Sequence, residues 1–172
     1  MWRVYNTPMR TKIFLLAILA VLGLGVFVFY SSLEGGAEQS EAEDVVKNWE
    51  RRDVILAKIG SHAFRLRVAR TERERAQGLG GVAALVQNEG MLFTFQNDGL
   101  HGIWMKDMRI PIDILWLSND FQIVDFAEKV SPDSFPRIFT PTTPARFVVE
   151  LPAGAKKASG VAAGDAVQFF EQ

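Results

Sequence analysis

The sequence predicts an all-β domain, a jelly-roll-like β-sandwich or barrel with one or two short helices, preceded by a single N-terminal transmembrane helix. Three observations lead there. From Asp53 onward the chain divides into short runs rich in Val, Ile, Phe, Trp and Leu. Clusters of Gly, Pro, Asn, Asp and Ser separate those runs and leave no room for long amphipathic helices. Near the start, Ile13 to Tyr30 carries no charged or strongly polar side chain.

The densest apolar and aromatic stretch of the domain is Glu89 to Leu117, which we take as its core. Three short runs there are divided by the clusters Gln96-Asn97-Asp98-Gly99 and Lys106-Asp107-Met108-Arg109, the pattern of consecutive antiparallel strands joined by turns. The β-branched and aromatic content and Pro111 argue against helix.

Composition narrows the function classes. A chain of 172 residues holds one ordinary domain plus appendages. Its 48% hydrophobic content and net charge of -1 fit neither a disordered tail nor a strongly basic nucleic-acid binder. Of 19 Lys and Arg, three precede Ile13; of 20 Asp and Glu, five lie within residues 31–44; residues 45–172 therefore carry 16 basic and 15 acidic side chains. With no cysteine, the chain has no disulfide, thiolate nucleophile, zinc ribbon or lipid-modified N-terminal Cys.

The 18 residues Ile13 to Tyr30 would make a helix of roughly 27 Å, close to the thickness of a hydrocarbon core. Arg3, Arg10 and Lys12 before it, and Glu34, Glu38, Glu41, Glu43 and Asp44 after it, set the N-terminus in the cytoplasm and the domain on the periplasmic or extracellular side. The competing reading is a removable signal sequence cut near Gly35-Gly36-Ala37, which would leave a secreted domain. The expected organisation is a basic N-terminus (1–12), the anchor or signal (13–30), an acidic linker with a short helix (31–52) and the β-domain (53–172). Ser40 and Glu43 have the spacing of a capping box for the linker helix.

Within the domain, Val54 to Ile59 and then Phe64 to Val68 alternate with period two, the second run placing Arg65 and Arg67 on a solvated face. Thr71 and Glu74 form a second capping box, and Gly78 is the expected stop of a surface helix bearing Arg73 and Arg75. Gly80 to Asn88 reads as a loop. Ser118-Asn119-Asp120 turns a hairpin into a strand over Phe121 to Val130. Ser131 to Pro144, with four prolines, reads as a long surface excursion without strand. Arg146 to Leu151 and Ala166 to Phe170 are further strands, with a single helical turn expected over Ala155 to Ser159.

Several of these pieces, in this order, resemble one family, the domain of unknown function 192. They are Thr71-Glu72-Arg73-Glu74-Arg75 with Gly78-Leu79, then Glu89-Gly90-Met91-Leu92-Phe93 with Phe95, then Trp104-Met105-Lys106 followed by Ile110-Pro111-Ile112-Asp113-Ile114. Pro144-Ala145-Arg146, Glu150-Leu151-Pro152-Ala153-Gly154, Gly160 and Gly164-Asp165 complete the set, which spans residues 62–170. The resemblance implies a β-sandwich of jelly-roll character, often behind a signal or anchor, and implies no established activity. Where some relatives carry cysteines, this chain reads Ser134-Phe135-Pro136-Arg137-Ile138, so the resemblance lends that loop no redox or metal role.

Asp113 stands out as a carboxylate in a strand apolar on both faces, Ile112, Ile114 and Trp116 on one side and Leu115 and Leu117 on the other. A buried carboxylate needs a partner. Lys106, across the proposed turn, is one candidate, and backbone amides are another. Such a pair either fixes a turn or faces a ligand. Trp104 and Trp116 either stack a flat ligand or fill the core. His62 and His101 lack metal-ligand spacing, and no metal or cofactor is expected. The expectation is a membrane-anchored binding module using Trp104, Lys106, Asp113, Arg73 and Arg75 for a small polar ligand, an envelope polysaccharide or a protein partner, and not nucleic acid. The alternative is a hydrolase or lyase with Asp113 and Lys106 as an acid–base pair.

Overall fold

The computed structural model describes residues 53–170. The anchor or signal segment 13–30, the linker and the Ser40–Glu43 capping box lie outside the described residues. Among the described residues no helix is long and apolar enough to cross a membrane.

Among the described residues nine strands and two short helices follow in order. They are β1 (Val54–Ile59), β2 (His62–Ala69), α1 (Glu72–Gln77), β3 (Glu89–Gly99), β4 (Ile103–Trp104), β5 (Ile112–Leu117), β6 (Ile123–Val130), β7 (Ile138–Phe139), β8 (Ala145–Pro152), α2 (Ala155–Ser159) and β9 (Val167–Phe170). Seven strands make one sheet in the order β6-β5-β8-β3-β2-β1-β9, and β4 pairs with β7 in a separate ribbon.

That sheet curls. Its two ends meet where Gln122 bridges Ala166, where the Ile123 N–H donates to the Asp165 carbonyl (2.9 Å) and where the Val167 N–H donates to the Phe121 carbonyl (3.0 Å). Curling gives the sheet an inner face, packed with residues such as Leu66, Leu92, Leu115, Val149 and Val167, and an outer face carrying Phe93, Ile112, Ile114, Trp116 and Val148. All six residues of β5 are buried, because both faces of that strand are covered. Each such Leu, Ile or Phe contributes about 1.5–3 kcal/mol through the apolar surface it removes from water.

The β-rich expectation with one or two short helices stands, two being present among the described residues, but the pairing differs from it. Of the two architectures expected, sandwich and barrel, the described strands follow the second partway, as a curled half-barrel. The three central runs are not consecutive partners: β8 lies between β5 and β3, and β4 leaves the sheet for β7. β2 and β3 are parallel, with α1 in the connection, since a parallel pair needs a long crossover that a hairpin turn cannot supply. Gln96 to Gly99 is not a turn; β3 runs on to Gly99 with an irregularity between Thr94 and Gly99. The Pro-rich excursion also holds structure, a 3-10 turn over Pro132–Ser134 and then β7. Pro lacks the N–H for a central ladder but leaves a two-residue pairing beside it open.

The local signals around α1 behave as the residues dictate. The Thr71 hydroxyl accepts the Glu74 N–H (3.2 Å), and the Glu74 carboxylate accepts the N–H groups of Thr71 (2.8 Å) and Arg70 (2.7 Å). Those backbone bonds, Thr71 first, hold the Glu74 carboxyl below its ordinary range. Gly78 ends the helix at φ +49, where its N–H donates to the Glu74 carbonyl.

Gly90 fixes how closely β3 and β8 approach. A Cβ there would stand 2.4 Å from the Glu150 carbonyl oxygen and 2.8 Å from Leu66 Cδ2. Backbone cannot swing aside as a side-chain tip can, so Gly90→Ala is expected to cost about 2–3 kcal/mol, read as a lowered urea midpoint with an unchanged m-value.

Candidate functional site

β8 brings an acid into an apolar wall. Strand alternation sends Phe147, Val149 and Leu151 to the inner face and Val148 to the outer face, so Glu150 also points outward. Its cross-strand neighbours are Met91 on β3 and Ile114 on β5, neither able to accept or donate a strong hydrogen bond. Glu150 is only 4% exposed, and among the described residues its Oε2 has no hydrogen-bond partner. Burial pushes the carboxyl up to about 8. At neutral pH the group is therefore mostly the neutral acid, a proton donor as well as an acceptor.

Glu150 lines a cavity of about 50 Å³ together with Phe93, Arg75, Trp104 and Lys106. α1 and its stop at Gly78 form one wall, and the chain from Gly102 to Met108 forms the facing one. A Met105–Met108 turn with Asp107 in the left-handed region (φ 57) presents Lys106, and the Asp107 carbonyl accepts the Gly81 N–H at 2.8 Å, tying that turn to the loop after α1. The Lys106 ammonium lies 5.9 Å from the Trp104 ring centre, within cation–π range. No carboxylate among the described residues pairs with it. Arg75 is more committed: its Nη1 donates to the carbonyls of Thr94 (3.0 Å) and Arg70, and its guanidinium sits 5.0 Å over the Phe95 ring. Phe95 is in turn stacked on His101 at 3.5 Å.

The rim is apolar. Trp104 is 44% exposed, meets Phe135 edge-on at 6.3 Å and stands opposite Ile138 in the β4–β7 ribbon. Phe135 and Ile138 are themselves about half exposed.

Asp113 is elsewhere. Its carboxylate is fully buried and accepts three backbone N–H groups, from Lys129 (2.7 Å), Gly154 (2.9 Å) and Lys156 (2.9 Å). The pairing with Lys106 expected from sequence is thus replaced by the backbone alternative. Alternation along β5 turns Asp113 to the face of Leu115 and Leu117, away from the outer-face residues around the cavity. There it ties the end of β6 to the start of α2. Among the described residues an acid–base pair of Asp113 and Lys106 is not assembled.

The other candidates divide. Trp104, Lys106 and Arg75 come together at the cavity. Arg73 lies exposed on α1 and does not line it. Trp116 is core, 1% exposed, its indole N–H donating to the His101 carbonyl at 2.8 Å. His62 is exposed and contacts the Ser61 hydroxyl (3.0 Å). Among the described residues no three His, Asp or Glu side chains cluster to hold a metal ion. Glu150 is the residue sequence reasoning missed, although the signal was present: Phe147-Val148-Val149-Glu150-Leu151 sets one charge in an apolar strand, as Ile112 to Leu117 does with Asp113.

Comparison with known proteins places these features in context. Residues 54–169 match the model of a family, domain of unknown function 192, described as an uncharacterized ACR. A UPF0127 protein of Pyrococcus horikoshii is 31% identical over 74 residues, 43% of this chain and 58% of that protein, so the match spans less than two thirds of the relative's length. A crystal structure from Sinorhizobium meliloti, of a protein named as a candidate transcription regulator, aligns with TM-score 0.62 at 31% identity, covering 67% of this chain and 91% of that one. A protein of unknown function from Novosphingobium aromaticivorans aligns with TM-score 0.63 at 27% identity, covering 67% and 84%.

Proposed function

The chain belongs to the domain of unknown function 192 family, and on that premise we propose that it is a binding module whose site is the Glu150 cavity, carried on the outer side of a membrane by residues 13–30. One observation carries the choice of site: a buried acid, Glu150, lines a cavity that is also lined by an ammonium, Lys106, which no described carboxylate neutralises. Arg75, Gln77, Lys106 and Glu150 bring polar groups together among apolar side chains in its lining, as the orienting groups of a ligand site do. Trp104, half exposed at the rim, offers a flat surface to the part of the ligand left outside. The part of the ligand held inside is small and polar, because the cavity is about a third of the roughly 150 Å³ that takes benzene.

The test is a thermal-shift screen of the detergent-solubilised full chain against metabolites, saccharides and metals, since a ligand selective for the folded state raises its melting temperature. Lys106→Met and Trp104→Ala are expected to leave the unliganded melting temperature within about 3 °C, as changes at exposed positions do, and to abolish the ligand-induced rise. A ligand whose effect survives both substitutions would place binding elsewhere. For the anchor, the full chain is expected to remain with membranes through an alkaline wash, and a chain lacking residues 13–30 to be released by it.

A further inference from the structure

Resting on that reading of the cavity, we propose that its ligand is a small monocarboxylate, whose carboxylate is held between the Lys106 ammonium and the carboxyl of Glu150. Lys106 and Arg75 both line the cavity, and the only acid among its lining residues is Glu150, buried to 4% exposure in an apolar wall. A carboxyl held neutral by such surroundings leaves the site with an excess of positive charge, which an anion relieves and a cation aggravates. Lys106 has no described carboxylate to compete for it, and its contact with the Trp104 ring is the weaker claim on its charge.

Glu150 then supplies what a neutral acid can. Its O–H donates to one ligand oxygen while the Lys106 N–H groups donate to the other, with no proton transferred and no bond broken. Size agrees with the assignment. A cavity of about 50 Å³ encloses a group of about three heavy atoms, as a carboxylate is, and leaves its carbon body to cross the exposed face of Trp104.

An amine is the competing head group, and the two make opposite demands on Glu150. An anion needs a donor there; an ammonium needs an acceptor. Gln keeps a donor at every pH and, though its amide oxygen still accepts, carries no negative charge, so Glu150→Gln keeps an anion's partner and removes the ion pair that an ammonium would make.

The experiment is calorimetric titration of the detergent-solubilised full chain with acetate and benzoate, with ethylamine and acetamide as the cationic and neutral probes. Acetate and benzoate are expected to bind saturably at pH 7, benzoate more tightly through Trp104, and the other two not at all. Above pH 8 carboxylate affinity should fall, approaching tenfold per pH unit. Lys106→Met should weaken it by roughly tenfold or more. Glu150→Gln should keep the binding and remove its decline with pH. Binding of ethylamine that Glu150→Gln abolishes would overturn the proposal while leaving the cavity as the site. Silence of both carboxylates, or carboxylate binding indifferent to Lys106→Met, would overturn it as well, and the broader thermal-shift screen then reports on the cavity independently.

Discussion

Asp113→Ala is expected to destabilise the domain by about 3–5 kcal/mol, more than Gly90→Ala or a change at the cavity rim. The carboxylate is fully buried and is the acceptor for three backbone N–H groups, on Lys129, Gly154 and Lys156. Removing it leaves those donors without the acceptor around which the β6 end and the start of α2 are arranged, and each buried donor left unpaired costs about 1–3 kcal/mol. Asp113→Asn should lose less, because one amide oxygen still accepts while the amide N–H₂ confronts donors. Lys106→Met, by contrast, should stay within about 0.5 kcal/mol of the parent, since Lys106 has no partner on this network. Urea denaturation of the three variants checks all of this. Equal destabilisation by Asp113→Asn and Lys106→Met would restore the pairing that the geometry excludes.

The second large effect is on pH dependence. Glu150 has its carboxyl raised from 4.5 to about 8 by burial, so between those values the folded chain holds a proton that the unfolded chain has released. Stability must then fall as pH rises, by about 1.4 kcal/mol per unit, starting near pH 4.5 and levelling off above pH 8. Across the window the loss is on the order of 5 kcal/mol. Two carboxyls work in the opposite sense at lower pH. Glu74 is lowered by its backbone bonds to Thr71 and Arg70; in Asp125, desolvation raises the value but the N–H and hydroxyl of Thr142 and the N–H of Phe126 together outweigh it. Both lose stabilisation as pH falls through the acid range, so the decline between about pH 5 and 8 belongs to Glu150. Glu150→Gln should flatten it, leaving the variant close to the parent near pH 5 and more stable by a few kcal/mol at about pH 8.5. A parent whose stability is level across that range would show that the carboxyl is not held neutral.

Much of the fold could be read from the residues, and the failures share one cause. Thr71, Glu74 and Gly78 wrote out α1 because capping is a matter of neighbouring backbone groups, and the alternation of β1 and β2 is equally local. Pairing is not local. β8 is buried on both faces and accepts β5 and β3 as neighbours, a choice settled by how the whole sheet curls and not by any pattern within Arg146 to Leu151. The same limit governed the site. Asp113 was legible as a buried acid, but its partners come from Lys129, Gly154 and Lys156, at least 16 residues away and all of them backbone, so no side-chain spacing announces them. Trp104, Lys106 and Arg75 were legible as candidates; that Glu150 closes the cavity between them depends on a strand contributed from the far end of the domain.

All of this stands on Glu150 being a neutral acid at physiological pH in the cavity that Lys106 and Trp104 also line. Carbon-13 NMR of the side-chain carboxyls, with the Glu150 resonance assigned by its loss in Glu150→Gln, follows that group directly as pH is varied. The expected midpoint is about 8. A midpoint near the ordinary carboxylate value of about 4.5 would contradict the account.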